Sequence, residues 1–265
     1  MLINISSKDN EKVKYTKSLL KSKNRQKESK YIIEGYRILT LAIECNAELD
    51  YVFINETFED REENRKILNI LYERNIRVFK TTNKIFNELI DTENTQGILG
   101  IVKFKYKKIE NNIKSNDKFV LILDRIQDPG NMGTIIRTAD AAGVDTIIVL
   151  KGCVDVYNPK VIRSTMGSIF DMNIVHCTQE ECIDTLKSNG FKIVSSYLNT
   201  NNYYNEINYY NKTALVIGNE ANGVSSDLIE ASDTLAKIPI YGKAESLNAA
   251  ISSAILMYEI KKYLS

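Results

Sequence analysis

The sequence predicts an α/β protein in two parts. A small α/β domain spans residues 1–107, a linker covers 108–117, and a parallel-sheet domain occupies 118–265. Three observations carry this reading. From residue 119 onward, short apolar runs alternate with helical stretches, as in a parallel sheet covered by helices on both faces. Before residue 105 short strands and helices mix less regularly. Between them YKKIENNIKSNDK (106–118) is polar and breaks the apolar rhythm.

In the first part YIIEG, DYVFI, IRVFK and GILGIVKF read as strands, and NRKILNILYERN (64–75) sets apolar residues at helical spacing. In the second, FVLILD (119–124) is a continuous apolar run, as expected of a strand buried on both faces. A helix over 131–142 follows, then TIIVL as a strand, helical NPKVIRSTMGSIF and the strand MNIVH. Helical QEECIDTLKSN precedes the strand FKIVSSY. ALVIG (214–218) is another buried strand, LAKIPI a short last one, and SLNAAISSAILMYEIKKYL a closing helix. Ligands of such sheets bind outside the carboxyl ends of the strands. That rule selects the loops at 124–131, 218–225 and 239–246.

Length and composition set the limits. At 265 residues, 43% apolar and 26% charged, the chain suits a soluble protein with a substantial core. No apolar run approaches the roughly 20 residues of a spanning helix, and MLINISSKDNEK lacks a signal-peptide pattern. A cytoplasmic location without membrane attachment is the expectation. The cysteines, Cys45, Cys153, Cys177 and Cys182, form no Cys-x-x-Cys pair, and His176 is the sole histidine, so no metal site is expected. A serine–histidine triad would have to use His176, which stands at the end of FDMNIVH in a structural position. Net charge is +4 over residues 1–110 and −3 over the remainder. Residues 8–37 hold 10 basic against 4 acidic groups. This segment reads either as a polyanion-docking stripe or as a solvated helix face.

DPGNMGTIIRTADAAG (128–143) has the outline of a phosphate loop, but the Walker lysine is missing after Gly133. Gly242-Lys243 offers a Gly-Lys pair without the rest of the motif, and Gly130 and Gly133 lack a third partner for G-x-G-x-x-G. Nucleotide triphosphate chemistry is thereby disfavoured. Asn131 is placed to cap the following helix, and Arg137, about a turn and a half into it, has Asp128 and Asp140 as possible partners. In IGNEANGVSSDL (217–228) Gly218 ends a strand, Gly223 permits a turn, Ser225 or Ser226 suits a helix cap, and Glu220 is placed to meet a ligand or Arg137. IPIYGKAESLN enters the last helix through Ser246, Leu247 and Asn248, with Ser246 in the manner of a cap. Three strand-end loops bearing Asn, Arg, Glu, Ser and Asn suggest one pocket.

Together the three segments resemble the SpoU family of RNA ribose 2′-O-methyltransferases, within the SPOUT superfamily. DPGNMGTIIRTADAAG is similar to its first motif, LVIGNEANGVS to its second and IPIYGKAESLNAAISSAI to its third, in matching order over most of residues 119–260. YIIEGYRIL and TENTQGILGIV resemble the substrate-binding domain preceding many members, a small fold similar to certain ribosomal proteins. Thr95 and Asn173 stand where prolines are common in relatives. The resemblance implies a deep trefoil knot in the C-terminal domain. It implies S-adenosyl-L-methionine bent within that knot, against Gly218, Ile238 and Leu247 with Ile217 and Ile240 nearby. It further implies a homodimer packed through helices such as 247–263, and catalysis without a metal. Arg137 matches the arginine assigned to activating the ribose hydroxyl, either by losing its proton transiently or by staying charged and lowering the hydroxyl pKa. Asn131, Glu220, Ser246 and Asn248 match the other polar motif residues. The function implied is methylation of a ribose 2′-hydroxyl in structured RNA. Ribosomal RNA, 23S above all, is the expected substrate, since the two-domain arrangement resembles ribosomal RNA members more than the compact transfer-RNA ones. A transfer-RNA enzyme and a non-catalytic RNA-binding or assembly factor are the alternatives.

Overall fold

The structure, a computed structural model, describes residues 2–92 and 95–265. Two compact units are present: residues up to Lys105 with Asp155–Phe170, and Tyr106–Val154 with Asp171–Ser265.

The first unit is built on a five-stranded sheet. The four expected strands form as β2 (Lys30–Glu34), β3 (Leu49–Asn55), β4 (Arg77–Thr81) and β5 (Ile98–Lys103), joined by an unexpected β1 (Leu2–Ile5). Their order is β1-β4-β3-β5-β2, with β5 antiparallel to both neighbours and the other pairs parallel. β1 escaped sequence reading because it is a four-residue edge strand whose first residues stay largely uncovered. Helices α1 (Glu11–Ser18), α2 (Ser22–Glu28), α3 (Tyr36–Glu44), α4 (Glu62–Glu73) and α5 (Asn83–Asn87) complete the chain to Lys105. Within the motif TENTQ, Glu93 and Asn94 lie outside the described residues.

The basic segment 8–37 is less basic in space than in sequence. Arg25 is buried and held by Asp155 at 2.7 Å, while Lys30 pairs with Asp50 and Lys17 with Glu88, each at 2.8 Å. Arg25 also donates to the carbonyls of Leu19 and Leu20, so it ties the α1–α2 turn to the segment 155–170. Tyr157 of that segment stacks on Tyr31 and Phe104. The helix expected over 158–170 is shorter: α7 (Pro159–Thr165) stops where Met166 and Gly167 take left-handed φ values of 52° and 103°.

The second unit holds six parallel strands in the order β11-β9-β10-β6-β7-β8. These are β6 (Phe119–Leu123), β7 (Thr146–Leu150), β8 (Asn173–Cys177), β9 (Lys192–Ser196), β10 (Thr213–Ile217) and β11 (Thr234–Ala236). Helices α6 (Pro129–Ala141), α8 (Gln179–Ser188), α9 (Ser226–Ala231) and α10 (Ala249–Leu264) connect and close it. Val120, Ile122, Ile148, Val175, Ile193 and Val216 are buried together, the reason these strands read as unbroken apolar runs. Ile109, inside the polar stretch 106–118, is buried in this same core. The chain steps outward from β6 to β8, then returns to the other side of β6. The order therefore reverses beside β6 and β10, where α/β sheets open a crevice at their carboxyl edge. Among the described residues no helix is long and apolar enough to cross a membrane.

Candidate active site

The loops after β6, β10 and β11 meet at the carboxyl edge. Asp124, buried, follows β6 and takes two hydrogen bonds from the Arg125 guanidinium, at 2.9 and 3.0 Å, and one from Ser225 N at 2.8 Å. Arg125 adopts a left-handed φ of 57°, a conformation that costs a non-glycine residue about 1 kcal/mol or more. Its third bond, to Gly223 O at 3.1 Å, helps hold it there. This ion pair therefore fastens the first loop to the second. Sequence reasoning passed over both residues; the signal was a buried apolar run ending abruptly in Asp-Arg.

Within the second loop, Asn219 and Gly223 exchange backbone hydrogen bonds of 3.0 and 2.9 Å. The Asn219 side chain accepts from Ala221 N and Asn222 N and donates to Arg125 O at 2.8 Å. Gly218 is required by close approach: a Cβ there would sit 2.2–2.4 Å from backbone atoms of Gly223 and Val224.

Glu220 is the hub between loops. Its carboxylate accepts from Asn131 Nδ2 at 3.1 Å and from the backbone N–H groups of Asp128 and Gln127 at 3.2 and 3.3 Å. Partial burial works against its charge, but these hydrogen bonds, that from Asn131 foremost, outweigh it and hold the carboxyl below the usual range. Asn131 Oδ1 in turn accepts from Asn248 Nδ2 at 2.9 Å. Asn248–Asn131–Glu220 is thus a continuous chain crossing all three loops.

Several sequence expectations are corrected here. Asn131 does not cap α6, which begins two residues earlier than expected: Pro129 suits the first helical position, and Asp128 is the cap, accepting from Asn131 N at 2.7 Å. Ser246 does not cap α10; Asn248 does, with Oδ1 accepting from Ala250 N and Ile251 N. Ser225 stands at the cap position of α9, yet its hydroxyl is bonded to Gln179 instead. The last strand ends at Ala236, leaving Lys237–Leu247 as loop. Glu220 binds Asn131 and backbone rather than Arg137. Among the described residues Arg137 pairs with neither Asp128 nor Asp140 and its side chain makes no hydrogen bond; it is exposed, two turns into α6.

Beside this network lies a cleft of about 380 Å³. Ile217, Gly218, Ile238, Ile240 and Leu247 line it together with Glu220 and Ser246, whereas Asn131, Asn248 and Arg137 do not. Tyr197, Leu198 and Asn199, after β9, add a wall the sequence did not disclose. Among the described residues the backbone N–H groups of Ile238, Ile240 and Leu247 donate to no group of the chain. An apolar slot with unpaired main-chain donors fits an adenine ring, whose face is apolar and whose edge accepts hydrogen bonds. The residues present therefore fit S-adenosylmethionine. Behind the first loop, burial raises the Cys153 thiol to about 11, so it stays protonated and inert at neutral pH.

Comparison with known proteins agrees with this geometry. Residues 118–258 match the model of the SpoU rRNA Methylase family, and residues 10–100 match the MRM3-like substrate binding domain. A Bacillus subtilis protein named 23S rRNA (guanosine(2553)-2′-O)-methyltransferase RlmP is 34% identical, with 97% of this chain and 98% of that one covered. The structure of an AdoMet-bound rRNA methyltransferase from Sinorhizobium meliloti superposes with a TM-score of 0.90 at 28% identity, covering 100% of this chain and 99% of that one. An RNA 2′-O ribose methyltransferase structure gives a TM-score of 0.82 at 27% identity, over 98% and 99% of the two chains.

Proposed function

The chain belongs to the SpoU rRNA methylase family, and from that premise we propose that it methylates a ribose 2′-hydroxyl of 23S ribosomal RNA. It is an S-adenosylmethionine-dependent RNA methyltransferase. The Asn248–Asn131–Glu220 chain beside the cleft carries our assignment of the active centre, because it joins the three motif loops through side chains alone.

Bound S-adenosylmethionine supplies an electrophilic methyl group. Ile217, Gly218, Ile238, Ile240 and Leu247, which line the cleft, would hold it, with Ser246 at the same wall. The remaining task is to align a 2′-oxygen and ease loss of its proton, and alignment supplies much of such a rate. Glu220 is a poor base, since its oxygens already accept several hydrogen bonds and these hold its pKa below the usual carboxylate range. We assign it to positioning, with Asn131 and Asn248. Arg137 is exposed, and arginine keeps its charge in water. Of the two roles open to it, we favour the charged one: it grips the substrate's phosphate edge and lowers the hydroxyl pKa, while the proton leaves to solvent.

The finer organisation is also proposed. We read 1–107 as the RNA-binding domain, 108–117 as the linker and 118–265 as the catalytic domain, the last carrying the trefoil knot of its superfamily. Exposed Ile251, Tyr258 and Tyr263 on α10 support a homodimer packed through that helix. A ribosomal RNA substrate supports a cytoplasmic location. Arg137→Ala tests the assignment: methyl transfer falls by about 10²–10³-fold or more, while calorimetry shows S-adenosylmethionine binding retained. Full activity of the variant on ribosomal RNA would refute it. Mapping 2′-O-methyl marks in cells with and without the protein tests the substrate; loss from a transfer RNA, with ribosomal RNA unchanged, would overturn the ribosomal reading.

A further inference from the structure

We propose that Tyr241 is a stacking platform for a nucleobase next to the methylated ribose, and so a determinant of RNA affinity at the active centre. The inference rests on the RNA methyltransferase reading above and adds to it a specific subsite.

Tyr241 is 95% exposed, the most uncovered of the large apolar side chains among the described residues. Single exposed aromatics are common and need no explanation by themselves. Its placement is what distinguishes this one. Ile240, the residue before it, lines the cofactor cleft, and Ser246 and Asn248 close the same loop. Among the described residues, Tyr241 through Leu247 make no hydrogen bond within the chain. The loop is therefore fastened at its two ends and offers its middle to a ligand.

The surroundings match one kind of ligand. Leu198, 52% exposed, lines the same cleft from the loop after β9. Lys237, also a lining residue, sits 4.9 Å over the ring of Tyr203, and Lys243 is exposed two residues beyond Tyr241. Uncovered apolar side chains and lysines on the loops of one cleft suit single-stranded RNA: splayed bases stack on aromatic rings while lysines meet the phosphates. A protein partner would want a broader apolar patch and fewer bare charges. The occupant we commit to is an unpaired base flanking the target nucleotide.

The experiment uses the full chain and ribosomal RNA purified from cells lacking the protein. Tyr241→Ala raises KM for that RNA by about 5- to 150-fold, the span for one lost base–aromatic stack, with kcat changed far less and S-adenosylmethionine affinity unchanged. Tyr241→Phe, which keeps the ring, restores the wild-type KM. The chain has no tryptophan, so Tyr241→Trp installs a single tryptophan, excited selectively beyond the tyrosine band, that RNA should quench on stacking. An unchanged KM in Tyr241→Ala, or Trp emission indifferent to RNA that the protein binds, overturns the proposal while leaving the methyltransferase reading intact. If wild type transfers no methyl group to any RNA, that reading fails instead, and the fluorescence titration still decides the stacking.

Discussion

Gly218→Ala is the smallest change that should disable cofactor binding. The added Cβ would lie 2.2 Å from Gly223 C, 2.3 Å from Val224 N and 2.4 Å from Gly223 O. Ordinary contacts begin near ~3.4–3.5 Å, so the second loop must retreat by about 1 Å, and the obstacle is backbone that cannot rotate away. Such a shift breaks the paired Asn219–Gly223 hydrogen bonds and the Arg125 bond to Gly223 O. At roughly 1 kcal/mol net for each of these three, the organised loop becomes less favourable by about 2–3 kcal/mol, allowing for partial relaxation. That corresponds to a loss of about 30- to 150-fold in S-adenosylmethionine affinity. Calorimetric titration reads the affinity, and circular dichroism with a thermal melt shows that the variant still folds. Folded Gly218→Ala protein binding S-adenosylmethionine within twofold of wild type would refute the assignment of this loop to the cofactor.

Other outcomes follow from the same contacts. Glu220→Ala removes the acceptor for Asn131 and for two backbone N–H groups at an exposed edge. After discounting for water, about 1–2 kcal/mol is lost, and kcat with bound RNA falls by about 5- to 30-fold, with Glu220→Gln recovering part; single-turnover methylation measures both. Arg25→Ala leaves the mostly buried Asp155 carboxylate unpaired and lowers stability by about 3–5 kcal/mol, seen in urea unfolding, whereas Lys14→Ala, at an exposed pair, changes little. Alkaline pH destabilises the chain: burial raises the pKa of Tyr31, Tyr51 and Tyr209 in the folded state. Unfolded tyrosine ionises near ~10 while these stay protonated, so their contribution is full below that pH and lost above it, at up to about 1.4 kcal/mol per pH unit each. Denaturant midpoints between neutrality and strong alkali check the sign.

The strand ladder of the second unit was legible because parallel strands are covered on both faces and so read as apolar runs; FVLILD and ALVIG lie side by side as β6 and β10. The carboxyl-edge rule also pointed to loops that the Glu220–Asn131 and Asn131–Asn248 hydrogen bonds bring together. All five residues assigned to the cofactor fall on one cleft. The caps were not legible. Asp128, Asn131, Ser246 and Asn248 all have cap-forming side chains, and local sequence cannot say which backbone N–H each will reach once Pro129 has fixed the start of α6. The Asp124–Arg125 pair was hidden for a related reason: its partners Gly223 and Ser225 are about 100 residues away in sequence. The place of segment 155–170 in the first unit, tied through Arg25 and Asp155, was likewise hidden, because a single buried ion pair leaves no periodic trace.

The same loops show why a fold of this kind needs so little catalytic chemistry of its own. The reversal of strand order beside β6 and β10 brings loops separated by about 90 residues within hydrogen-bond reach, as Glu220 and Asn131 demonstrate. Nearly every polar side chain in the centre is then spent on another loop: Asp124 on Ser225, Arg125 on Gly223, Asn219 on Arg125, Glu220 on Asn131, Asn131 on Asn248. Groups committed in this way are preorganised but have few free lone pairs with which to take a proton. Arg137, exposed further along α6, belongs to none of these pairings among the described residues. On the role proposed for Arg137, a rigid frame with an uncommitted cation suits a reaction whose methyl group arrives already activated. Orientation and charge then do what a strong base does elsewhere.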